Sequence, residues 1–238
     1  MAHQKSTVSI IKSSRMYAEE ITEDDIRIMV TKAVGLAGGL DFIKDHQCVV
    51  LKPNLVSTRM FSGPLKPALM AISDSHKKED QIPEFVNGIT SDRRVVKVMV
   101  ELVRQRNPNG KVYIMESSGD GRTSRHLKQM GFTRENLPGV DEIIALGEDA
   151  PYRDLDSDQL VGVRVKNQRY TKMPKWMKNQ YYFDRTYHAA DVIISMCCLK
   201  NHANAAVTGG IKNVGIGAKP HNVYAMSKNK SLSLTTIN

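Results

Sequence analysis

Apolar residues fall along the chain in short runs and in helically spaced sets, and the two patterns alternate. "TVSIIK", residues 7–12, reads as a short strand. Thr22 and Asp25 make a capping-box start, and Ile26, Val30, Ala33 and Ala37 then recur at helical spacing until Gly38 and Gly39 stop the helix. "CVVLKPNLV", residues 48–56, is an apolar strand that meets a proline. Proline cannot donate to a ladder, so this strand should end near Pro53. Ser91 opens a helix running through Arg106, with Val95, Val96, Met99, Leu102 and Val103 on one face. "NPNG" turns the chain into the strand "KVYIMESS", residues 111–118. A short helix around Ser124 to Met130 follows and ends at Gly131; "DEIIAL", residues 141–146, is the next strand. Residues 147–188 are polar, basic and aromatic, with strand character at "VGVRVK". "AADVIISMCC", residues 189–198, is the last buried strand.

Strand and helix alternation of this kind predicts an α/β fold, with a mostly parallel or mixed sheet and helices on both faces. Long irregular insertions interrupt it. Residues 57–90 carry Gly63, Pro64, Pro67 and Pro83 and no periodicity. A loop of that length in a compact domain is usually functional or mobile. The chain shows no internal repeat, so residues 1–238 are expected to form a single α/β domain. Its last segment, "SKNKSLSLTTIN", has no core pattern. The expectation is a domain that is incomplete at its C-terminal side.

Composition narrows the class. Hydrophobic residues are 41% and charged residues 25%, the proportions of an ordinary globular protein. No apolar run approaches the roughly 18 residues that span a bilayer, and the N-terminus lacks a secretory h-region, which points to the cytoplasm. Lys plus Arg number 34 against 25 acids, a net charge of +9. That excess suits nucleic acid, an acidic surface or a phosphorylated small molecule. The cysteines, Cys48, Cys197 and Cys198, are odd in number and include no CxxC pair. A cluster held by four cysteines cannot be built from them alone.

The ends of the strands are where the chemistry collects. In an open parallel sheet, ligands bind in the crevice beyond the carboxyl ends of the strands. Here one strand ends in Lys52-Pro53-Asn54, the next in Glu116-Ser117-Ser118-Gly119-Asp120-Gly121, and the last in Cys197-Cys198-Leu199-Lys200-Asn201-His202. A parallel sheet sets all of these on one rim. Lys52 beside an apolar run either snorkels to solvent or meets an anion. Glu116 fits three roles: proton acceptor, metal ligand, or ion-pair partner of Lys52 or Lys200. Ser118 begins a turn whose backbone could cradle an anion. His202 fits a general acid/base, a metal ligand or a structural histidine. "VTGGIKNVGIG" then supplies Thr208, Gly209, Gly210, Lys212 and Asn213; glycines admit a ligand close to the backbone, and helix-start N–H groups attract anions. The segment matches neither a Walker loop nor a GxGxxG fingerprint. Vicinal Cys197 and Cys198 read as buried, inert thiols. "RYTKMPKWMKNQYYFDR" mixes base with aromatics as single-strand nucleic-acid platforms do, although a basic cover over the site or a plain surface excursion is the simpler reading and a nucleic-acid partner is not expected.

"VVLKPNLV", "KVYIMESSGDG" and "ADVIISMCCLKNHANAAVTGGIKNVGIG" together resemble the domain of unknown function 362 family, in which a KPN segment, an acidic strand end and a K-x-H segment followed by a Gly/Lys-Asn turn come in this order. The likeness runs over residues 7–224. It implies an α/β protein, in some members fused to ferredoxin-type iron–sulfur segments. This chain lacks the cysteine spacing for a cluster, so a redox role would need a separate segment or a ferredoxin-type partner. A shorter likeness, "TGGIKN", is similar to the nickel-pincer lactate racemase group, where such a lysine holds a pyridinium-type cofactor covalently; it makes Lys212 the corresponding residue and implies an isomerase.

The expectation is therefore an enzyme-like domain that binds an anionic small molecule, a metal ion or a cofactor at the strand-end rim. Lys52, Lys200 and Lys212 would supply charge, and Asn54, Asn201 and Asn213 orientation. Glu116 and His202 would be the acid/base or metal-binding pair. The rival is a non-catalytic module docking an iron–sulfur or nucleic-acid partner through residues 164–185.

Overall fold

The structure, a computed structural model, describes residues 6–17, 20–55, 88–119, 121–148, 158–164, 180–202, 206–220 and 223. Four strands, β1 (Cys48–Pro53), β2 (Lys111–Glu116), β3 (Glu142–Ala145) and β6 (Val192–Met196), form one sheet in the order β3-β2-β1-β6, and every pairing in it is parallel. Two small antiparallel pairs stand apart: β4 (Leu160–Arg164) with β5 (Gln180–Asp184), and β7 (Lys200–His202) with β8 (Ala206–Thr208). The helices are α1 (Glu23–Leu36), α2 (Arg93–Arg106), α3 (Thr123–Gln129), α4 (Arg185–Ala189) and α5 (Gly210–Gly215).

Strand alternation explains why both faces of the sheet are covered. Val49, Leu51, Val112 and Ile114 point into one apolar cluster with Val96, Val100 and Val103 of α2 and Leu127 of α3. Val50 and Met115, one residue out of phase, point into a second cluster with Tyr187 of α4 and Ala218, which follows α5. Connection handedness accounts for the split. From β1 through β2 to β3 the chain steps one way, and right-handed crossovers keep α2 and α3 on one face. From β3 it returns past β1 to β6, so α4 lies on the other. The strand order thus reverses between β1 and β6.

Most of the expected elements form, with differences at their ends. The capping box of α1 is present: Thr22 Oγ1 accepts the Asp25 N–H, and Asp25 accepts the Thr22 N–H at 3.0 Å. Residues 7–12 join no strand. Ser9 Oγ donates to the Ala33 carbonyl at 2.6 Å, which lays the segment beside α1, and Val8 and Ile10 face solvent. The alternation there was real, but among the described residues no strand partner receives it. Asp92, rather than Ser91, caps α2 by accepting the Arg94 N–H at 2.8 Å. Ser91 has another task at the strand ends. The strands expected to reach Ser118 and Cys198 stop at Glu116 and Met196. The expected long loop falls mostly on residues 56–87 and the basic aromatic stretch mostly on 165–179; both lie outside the described residues. Among the described residues no helix is long and apolar enough to cross a membrane.

Candidate functional site

Beyond the last apolar rungs, the carboxyl ends of β1, β2 and β6 carry a closed polar network. Lys52 and Ser195 share a rung of the β1–β6 pairing. Lys52 is fully buried and Glu116 is 2% exposed. The Lys52 ammonium donates three hydrogen bonds: to the Pro53 carbonyl at 2.8 Å, to Asn213 Oδ1 at 3.2 Å, and to Glu116 Oε2 in a close ion pair. Three donors with three acceptors complete what a lysine can offer. Asn213, from α5, answers with its amide: Nδ2 donates to the Lys52 carbonyl at 2.8 Å and to Ser195 Oγ at 3.1 Å. One asparagine therefore fastens α5 to two strand ends. Gly217 makes room for this, since a Cβ there would stand 2.8 Å from the Asn213 carbonyl and 3.3 Å from Lys52 Nζ. Ser91 closes the other side. Its hydroxyl accepts the Asn54 N–H at 2.7 Å and donates to the Met196 carbonyl, so it ties the end of β1 to the end of β6.

The electrostatics follow from burial. Removing a charge from water is costly even when it is paired. Burial outweighs the opposing pull of Lys52 and of the N–H groups of Leu55 and Ser117, and the Glu116 carboxyl is raised to about 7. Burial lowers the Lys52 ammonium, and Glu116 opposes that shift. Lys200 donates to the Ile89 carbonyl. Burial lowers its amine; Lys212 lowers it further, whereas Cys198, Cys197 and Glu116 raise it. Lys212 is lowered by burial as well. Lys200 and Glu116 are thus electrostatic neighbours, and so are Lys200 and Lys212.

The remaining expected residues divide by what they touch. Asn54 is fixed through its backbone to Ser91, and its Oδ1 is buried with no hydrogen-bond partner among the described residues. Ser118 turns toward α3: its N–H donates to Thr123 Oγ1 at 2.9 Å, and its hydroxyl accepts from the Arg122 N–H and from Thr123 Oγ1. Thr208 is buried opposite Lys200 in the β7–β8 pair. Gly209 caps α5 in extended conformation, and the Gly210 carbonyl accepts from Ser195 Oγ at 3.4 Å. Asn201 and His202 occupy β7 opposite Val207 and Ala206. Their side chains lie outside the described residues. Ser195, Ser91 and Gly217 belong to the network, and Tyr187 packs against Val50 and Met115; none was singled out from the sequence as a site residue. Ser195 had a signal, a lone hydroxyl inside the apolar run "VIISM". Ser91 had none beyond looking like a helix cap.

Among the described residues no three His, Cys, Asp or Glu side chains gather to hold a metal ion. The cysteines do not fit an iron–sulfur cluster either. Cys48 opens β1, whereas Cys197 and Cys198 follow β6, and β1 and β6 are parallel. Five or so rungs at about 3.3 Å each separate the two ends of the sheet. All three thiols are free. The Cys198 thiol donates to the Thr90 carbonyl at 3.0 Å, and burial pushes it up.

Fold and site together define an open, doubly wound α/β protein whose polar network stands where the strand order reverses. The family model described as Domain of unknown function (DUF362) matches residues 79–233. That is more than half of the chain, and the chain belongs to this family. The match takes in the acidic strand end and the K-x-H and Gly/Lys-Asn segments, and leaves the KPN segment at 52–54 outside it. No curated protein and no solved structure matches the chain significantly.

Proposed function

We propose that this chain is an enzyme-like domain that binds a small anionic molecule in the crevice at the carboxyl ends of β1 and β6. The observation that carries the reading is the buried Lys52–Glu116–Asn213 network at the point of strand-order reversal, with Lys200 electrostatically coupled to Glu116 and Lys212 to Lys200. In open α/β sheets that reversal opens a crevice for ligands. Buried charge is costly and is concentrated where function requires it.

Roles follow from exposure. Lys52 is saturated by protein acceptors, so it holds the floor of the site. Lys200 and Lys212, each half-buried, meet the anion; their amines repel one another, and a bound negative charge relieves that repulsion. Glu116, near neutrality, is the group suited to accept a proton. His202 on β7 is its partner acid/base, and Asn54, Asn201, Thr208, Gly209 and Gly210 shape the walls. A metal-linked or redox role rests on the family likeness alone, and an iron–sulfur cluster would lie on a separate segment or on a ferredoxin-type partner.

Calorimetric titration with inorganic phosphate and with acetate tests the proposal. Wild-type chain is expected to bind one of the two, and Lys200→Gln and Lys212→Gln each to weaken binding about tenfold, or ~1.4 kcal/mol, with folding intact by circular dichroism. Unchanged affinity in both variants would remove the basis for the reading.

A further inference from the structure

Tyr187 is the group that the network leaves over. The cap of α4 fixes its backbone: Asp184 Oδ1 accepts the Tyr187 N–H at 3.0 Å. Its ring packs with Val50, Met115, Leu146 and Ala218, on the face of the sheet that Val50 and Met115 share beneath the strand ends. The residue is 3% exposed, and its hydroxyl is buried with no hydrogen-bond partner among the described residues. Such a hydroxyl loses its hydration and gains nothing in return, so phenylalanine would serve packing better. Native structures tolerate few such atoms, and functional sites are one place that holds them. Burial and the Glu116 carboxylate both push the phenol up, so it stays protonated and can donate. Lys200 senses the same carboxylate, so the phenol and the amine both lie within electrostatic reach of Glu116.

Resting on the reading above, we propose that the Tyr187 hydroxyl is a ligand-binding group of the strand-end site, donating a hydrogen bond to an oxygen of the bound oxyanion. A neutral donor deep in the site and amines at its rim suit a ligand whose charge is spread over several oxygens, a carboxylate or a phosphate. The two are separated by which probe binds.

The test is Tyr187→Phe in the full chain, read by thermal melting and by titration with inorganic phosphate and acetate. The expected result is a melting temperature equal to or above wild type together with about tenfold weaker binding. A purely structural tyrosine would not weaken binding while the melting temperature stays the same or rises. In wild-type protein labelled at tyrosine 13Cζ, the Tyr187 resonance should shift on addition of the probe that binds. Should the variant not fold, that resonance decides, and one that stays in place at saturation overturns the proposal. Equal affinity in Tyr187→Phe overturns it too and leaves the anion site standing. If neither probe binds wild type, both readings fall together.

Discussion

Replacing Lys52 by methionine keeps an apolar stem of similar length and removes the ammonium. Three hydrogen bonds go with it, and Glu116, 2% exposed, loses its counter-ion. Breaking one side of a buried pair costs about 3–5 kcal/mol. The loss should depend on pH, because Glu116 can escape by taking a proton. Its carboxyl rises from 4.5 to about 7 on folding, so its stabilising contribution is complete below 4.5 and is lost as pH climbs through about 7. At about 1.4 kcal/mol per pH unit, that interval is on the order of 3 kcal/mol. Without Lys52 the carboxyl rises further. We expect Lys52→Met to cost about 4 kcal/mol at pH 8 and no more than about half of that at pH 5, where the carboxyl already holds its proton. Urea unfolding followed by circular dichroism at the two pH values measures this. Adding Glu116→Gln should recover at least about 2 kcal/mol at pH 8, since no uncompensated charge then remains. Equal losses at both pH values, or a double variant no better than Lys52→Met alone, would refute the account.

Glu116→Gln by itself should flatten the dependence of stability on pH between 4.5 and about 7, and a slope unchanged from wild type would assign that titration elsewhere. Asn213→Leu removes the acceptor of Lys52 and the donor to the Lys52 carbonyl and Ser195; urea unfolding should show a loss of about 2–3 kcal/mol. Gly217→Ala presses on the Asn213 carbonyl and should cost about 1–3 kcal/mol, whereas Gly215→Ala, with nothing within 4 Å, should be neutral or gain up to ~1 kcal/mol; similar effects at the two sites would contradict the close approach at Gly217. With Cys48 and Cys197 replaced by serine, the Cys198 thiol should react with iodoacetamide at pH 8 at least about tenfold more slowly than free cysteine, because burial and the bond to Thr90 both disfavour the thiolate.

Elements whose signals are local could be read directly from the chain. The capping box at Thr22, the apolar face of α2 and the runs at 48–53, 111–116 and 192–196 each follow from a few neighbouring residues, because helix and strand periods are set by the backbone itself. So was the crowding of polar groups after three strands. Strand order was not legible, and everything particular about the site depends on it. Lys52 meets Glu116 across 64 residues and Asn213 across 161 only because β2 and β6 flank β1 and α5 folds back over their ends. The same cause decided that Lys52 and Glu116 are sealed rather than displayed, and that Ser118 serves a turn. It also decided that "TVSIIK", with a sound strand pattern, joins no strand among the described residues. Alternation states which side chains share a face. Whether a neighbour covers that face, and which distant charge waits there, is settled by packing between segments that no local pattern connects.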